Sequence, residues 1–228
     1  MTSIRYFCIC TFLVAYSHAE DLREFTFTVY GEYPIRAVEY SPLSEEALIN
    51  GEQPVPAVEI KTHVLSRMGP YTYKGGNRVL FKEKETSKVV ASVSVPESSD
   101  RWLFVFLRNP NYKDENNTNK YLVYPFDDSK RNLPNNGLVF LNISGKKLDG
   151  LLEKKRVSFP AGESSTYRVQ ESLPVNLWTL DRAGEKLLPA LIKTYKFQED
   201  NRYLMIFFPP ALRGSVDLDV RLLSEAVD

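Results

Sequence analysis

The chain has 228 residues, 29 Lys+Arg against 29 Asp+Glu, and hence a formal net charge of 0. Its cations are scattered, with no basic helix or stripe, which argues against nucleic acid as a partner. Both cysteines, Cys8 and Cys10, and one of the 2 histidines, His18, fall in the N-terminal segment. The remainder therefore lacks the ligands for a disulfide framework or a zinc centre.

That N-terminal segment has the layout of a secretory signal. Arg5 supplies the positive start, residues 6–16 are apolar, and Ser17-His18-Ala19 is a small-x-small cleavage site before Glu20. The apolar run is about 11 residues where a membrane span needs roughly 20. The expectation is a signal peptide over 1–19 and an exported chain, periplasmic or at the cell surface, without a transmembrane segment after cleavage.

Glu24-Phe25-Thr26-Phe27-Thr28-Val29-Tyr30 alternates, with Phe25, Phe27 and Val29 on one face, and predicts a half-buried strand. Residues 35–40 suggest a second strand, 45–49 a helical turn inside a loop, and 57–65 a return to alternation. Residues 69–77, rich in glycine and containing Pro70, predict a turn-rich connection. Arg78-Val79-Leu80-Phe81 and residues 89–95 form a hairpin around the charged 82–88.

Arg101-Trp102-Leu103-Phe104-Val105-Phe106-Leu107-Arg108 is a continuous apolar run between two arginines. It is too rich in aromatic and β-branched residues for a helix, and predicts a strand buried on both faces. Arg202-Tyr203-Leu204-Met205-Ile206-Phe207-Phe208 has the same build and also ends at proline, so the two runs predict the centres of two similar β-units. Between them, the polar stretch 109–120 is a natural boundary, which gives an N-terminal unit over 20–112 and a C-terminal unit over 113–228. The alternative is one continuous domain over 20–228.

Further strands are expected at 121–125, 138–143, 148–159, 165–169 and 173–180, with a hairpin turn at 181–186. Residues 191–197 are expected to pair with the Tyr203 strand around 198–201, and 216–222 to close the fold. No long helix is foreseen. The fold class is all-β, an Ig-like or jelly-roll-type β-sandwich with two similar units.

Val139-Phe140-Leu141-Asn142-Ile143-Ser144-Gly145, followed by Val157-Ser158-Phe159-Pro160-Ala161-Gly162-Glu163-Ser164, resembles a pattern of secreted bacterial β-sandwich modules. That pattern is a strand written hydrophobic-Asn-hydrophobic-Ser/Thr-Gly, then a hairpin and Pro-x-Gly-Glu/Ser. Residues 69–81 also resemble uncharacterised exported proteins of Verrucomicrobia-type bacteria. The resemblance implies a sandwich fold and an envelope address, and it brings no catalytic residues.

The search for chemistry yields little. His63 sits in an alternating strand, and no Gly-x-Ser-x-Gly elbow accompanies it. Asp114-Glu115-Asn116-Asn117 and Asp127-Asp128 offer oxygens without the spacing of a calcium loop. Gly75-Gly76-Asn77 is followed by neither a helix nor a Gly-Lys-Ser/Thr. The sequons Asn116-Asn117-Thr118 and Asn142-Ile143-Ser144 matter only in a eukaryote, and Asn142 lies in a predicted strand. No catalytic residue, metal or cofactor is expected.

Tyr71, Tyr73, Tyr112, Tyr121 and Tyr124 lie in or near loops, and they are the candidate ligand-binding residues if the protein stacks sugar rings. The reading that follows is a non-enzymatic envelope protein that binds or scaffolds an envelope protein or polysaccharide. A carbohydrate-binding module is the alternative, and a carboxylate-dependent hydrolase comes third. Oligomeric state is left open.

Overall fold

The computed structural model describes residues 22–113, 119–168, 171–181, 183–212 and 214–227. The expected signal segment and the polar run 114–118 lie outside the described residues. Among the described residues the regular structure is almost entirely β, as the patterning predicts. It begins with β1 (Arg23–Gly31), β2 (Val38–Tyr40), the short helix α1 (Glu45–Ile49), β3 (Val58–Ile60) and β4 (Met68–Gly75). β5 (Arg78–Glu83), β6 (Val89–Ser94), β7 (Arg101–Arg108) and β8 (Tyr121–Asp127) complete one unit. The second comprises β9 (Gly137–Asn142), β10 (Leu148–Leu152), β11 (Lys155–Phe159), β12 (Ser164–Arg168), β13 (Ser172–Leu180), β14 (Leu187–Lys196), β15 (Asn201–Phe208) and β16 (Asp219–Ala226).

These strands make four sheets of four. In the first unit the orders are β4-β1-β7-β8 and β3-β2-β5-β6; in the second they are β12-β9-β15-β16 and β11-β10-β13-β14. Adding eight to each strand number converts one unit into the other. The parallel pairing repeats as well, β1 with β7 and β9 with β15, while every other pairing is antiparallel.

Three cores hold four layers together. Phe25, Phe27 and Val29 of β1 point with Trp102, Phe104 and Phe106 into the core of the first sandwich. Tyr203, Met205 and Phe207 point into the core of the second. The opposite sides of the same two strands, Leu103, Val105 and Leu107 against Leu204, Ile206 and Phe208, form a third core between the units. This is why β7 and β15 read as unbroken apolar runs. Each is a central strand with sheet on both sides, and each buried side chain contributes about 1.5–3 kcal/mol.

Four local expectations are corrected. Residues 69–77 are mostly strand: β4 is an edge strand on β1, where Pro70 removes no ladder hydrogen bond because it sits at a register shift opposite Thr28. The polar stretch 109–120 joins β7 to its sheet neighbour β8, so passage to the second unit comes after Asp127. Residues 148–159 form two strands, β10 and β11, turning at Glu153 in a left-handed conformation (φ 55°). Finally, β14 pairs with β13 and not with β15, so 198–200 carries the chain from one sheet to the other.

The motif around Asn142 has a structural explanation. Asn142 is fully buried, and its Nδ2 donates to the carbonyls of Lys146 (2.8 Å), Phe159 (2.7 Å) and Pro160 (3.1 Å). Its Oδ1 accepts from the Ser144 backbone N–H (3.2 Å) and hydroxyl (2.7 Å). Gly145 (φ 77°) and Gly162 (φ 82°) provide the two left-handed turns that this clasp requires. The amide thus ties the end of β9 to the end of β11.

Candidate functional site

The sequence-selected tyrosines do not come together. Tyr71 is half-buried on β4 and stacks on Phe27, with ring centroids 5.4 Å apart. Tyr73 on the same strand is buried against Phe25, and its hydroxyl donates to the Arg78 carbonyl (2.8 Å). Tyr121 and Tyr124 are on β8, at the other edge of that sheet with two strands between, about 14 Å away. Tyr121 packs edge-on to Phe106 in the first core, whereas Tyr124 turns to the core shared by the units. Tyr112 is half-buried in the β7–β8 connection, where its backbone N–H donates to the Asn109 carbonyl (3.1 Å). Four of the five rings are thus committed to packing on different sides of one sheet.

The other polar candidates are also in local use. His63 is exposed, and its Nδ1 lies 3.2 Å from both the Leu65 backbone N and the Ser66 hydroxyl, within one turn. Asp127 caps its own turn by accepting from the Ser129 backbone N–H (3.0 Å).

Asp128 belongs to a charged cluster where the two units meet. It is 0% exposed and accepts from Arg67 Nη1 through both oxygens (2.8 and 2.7 Å) and from Arg101 Nε (3.3 Å). Glu225 on β16 accepts from Arg101 Nη2 (3.0 Å), pairs with Arg202 Nη2 (2.6 Å) and lies 3.3 Å from Arg67. Arg101 and Arg202 hold matching positions at the starts of β7 and β15, and Asp128 and Glu225 matching positions opposite them. Burial works against the Glu225 carboxylate, but the hydrogen bond from Arg202 and the charges of all three arginines hold its pKa below the ordinary value. Burial likewise opposes the Arg101 charge, and Asp128 and Glu225 more than offset it, so its pKa lies above the ordinary value.

A different feature distinguishes the two units. Their outward sheets share a topology, so cross-strand partners identify the two solvent faces. On the first, β3, β2 and β5 present Glu59, Glu39 and Lys82 in a row, with Arg78 beside Ser94 and Leu80 beside Ser92. That face is polar. On the second, the matching row is Arg156, Leu151, Asn176 and Ile192, followed by Trp178 beside Pro189 and Leu180 beside Leu187. Leu180 is 50% exposed, Leu187 56% and Ile192 67%. The charges on this side are Arg156 and Lys196 against Asp149, whereas Lys155 and Lys193 stand opposite the core residues Leu152 and Val175.

Sequence reading passed over this face, although it held the signal. In β13 Leu173, Val175 and Leu177 alternate inward, which necessarily turns Trp178 and Leu180 outward. In β14 the run from Leu187 to Ile192 is apolar without alternation, and an edge strand cannot bury both sides. The edge itself is partly closed: the Leu218 backbone N–H donates to the Ala190 carbonyl (3.1 Å), and Lys193 and Lys196 guard the remainder.

No protein-family model matches the chain, and a search of curated proteins finds none that matches. Among the described residues, no helix is long and apolar enough to cross a membrane.

Proposed function

We propose that this chain is an exported, non-enzymatic β-sandwich protein of the cell envelope that docks a partner protein on the outward sheet of its second unit. The signal-like N-terminal segment and the resemblance to secreted bacterial sandwich modules support the address. The observation that carries the docking reading is the contrast between two solvent faces of one topology, polar in the first unit and apolar in the second. Such a patch is the usual mark of an interaction surface, and an indole at its centre is a favoured anchor. On the outward side Arg156 and Lys196 stand against Asp149, a small cationic excess that favours a partner whose apolar contact is bordered by carboxylates.

A sugar-binding reading is favoured by one observation: Trp178 lies on the outward sheet beside Asp149 and near Asn176, a ring with polar neighbours. The test is site-specific cross-linking in the native envelope, comparing wild type with Trp178→Ala and Ile192→Asp. A protein adduct present in wild type and reduced at least tenfold in both variants is expected. An undiminished adduct in both, or a polysaccharide adduct lost with Trp178 alone, would displace the protein-docking reading.

A further inference from the structure

The charged cluster borders a cleft of about 380 Å³ where the two units meet. We propose that this cleft binds a small oxyanion: a carboxylate, sulfate or phosphate, either free or carried on a hydroxylated body. Arg67 and Arg101 reach it from the first unit and Glu225 from the second, while Thr28, Ser66 and Ser224 add hydroxyls and leucines from both units add apolar wall. The volume suits a small molecule, and clefts between structural units are preferred places for such sites.

Two observations point to an anion. Arg67 and Arg101 both line the cleft, held from below by the fully buried Asp128 and flanked by Glu225, which Arg202 also pairs. Planar guanidinium forks match the geometry of carboxylate, sulfate and phosphate oxygens. Beside them is a polar atom the fold does not use. Thr28 lines the cleft, and its buried Oγ1 has no hydrogen-bond partner among the described residues. Buried donors of this kind are rare unless something answers them. A ligand oxyanion between Arg67 and Arg101, with a neighbouring oxygen on Thr28, answers the two guanidinium forks and the idle hydroxyl together. The site is separate from the outward face of the second unit, so it stands or falls independently of the docking reading.

The test is calorimetric titration of the full exported chain with inorganic sulfate, inorganic phosphate, sodium glucuronate and uncharged glucose, at ionic strength held constant with chloride. Saturable binding of at least one anionic probe is expected, with no glucose binding. Thr28→Val replaces the hydroxyl with a methyl of similar size, and Arg101→Lys keeps the charge without the fork; each should weaken binding about tenfold. Tighter binding of glucuronate than of the inorganic anions assigns the site to an organic acid; the reverse assigns it to a free inorganic anion. The proposal is overturned if no anionic probe saturates, if glucose binds as well as glucuronate, or if both variants, with unchanged melting, bind like wild type.

Discussion

Asp128 and Glu225 show how single residues couple distant parts of the chain. Asp128 follows β8 and Glu225 sits on β16, yet both accept from Arg67 and Arg101. Removing one partner of a buried pair leaves the other charges uncompensated, which costs more than the pair contributes. Asp128→Asn leaves three guanidiniums with one carboxylate and should lower stability by about 3–5 kcal/mol, read from urea denaturation. Glu225 makes a pH prediction of definite sign. Its folded pKa is held below the ordinary 4.5, so its contribution is present above that value and is lost as pH falls through the folded pKa. The melting advantage of wild type over Glu225→Gln should therefore hold at pH 7 and shrink below about pH 4.5. An advantage that stays constant down to pH 3 would show that the carboxylate charge adds nothing.

At the scale of elements, the Asn142 clasp marks the limit of motif reading. Its residues were legible as a recurrent pattern, and the pattern proves to be a device for joining β9 to β11. Asn142→Ala strands the carbonyls of Lys146, Phe159 and Pro160 in a buried site and should cost about 2–4 kcal/mol in chemical denaturation. Strand existence was mostly readable because alternation and apolar runs report burial directly, as in β1 and β7. Pairing was not. The expected hairpin between 191–197 and the Tyr203 strand failed because proximity in sequence favours adjacency, whereas β15 takes β9 and β16 as neighbours. β4 was misread because glycine and proline also suit an edge strand. The candidate site was the least legible part. Arg101 and Arg202 stood out as a repeated pair, but Arg67, Asp128 and Glu225 are joined to them only by tertiary structure. Tyrosines near turns suggested exposure, and packing in the first sandwich claimed most of them.

At the scale of the whole molecule, the question is whether two units of one topology behave as two domains. The shared core argues that they do not. Leu103, Val105, Leu107 and Tyr30 from the first unit are buried against Leu204, Ile206 and Phe208 from the second. Separating the units would return all of these to water, at about 25 cal/mol for each Å² of apolar surface. The chain should therefore unfold in one cooperative transition, and damage on one side of the shared core should be felt on the other. The two tryptophans make this measurable, because Trp102 is in the core of the first sandwich and Trp178 is on the outer sheet of the second. In a Trp178→Phe background only Trp102 reports, and it reports the first unit. Ile206→Ala, made entirely in the second unit, should cost about 2–5 kcal/mol and lower the denaturation midpoint seen by Trp102 in full. If Trp102 kept its original midpoint while circular dichroism showed an earlier loss of sheet, the units would be independent domains that merely touch.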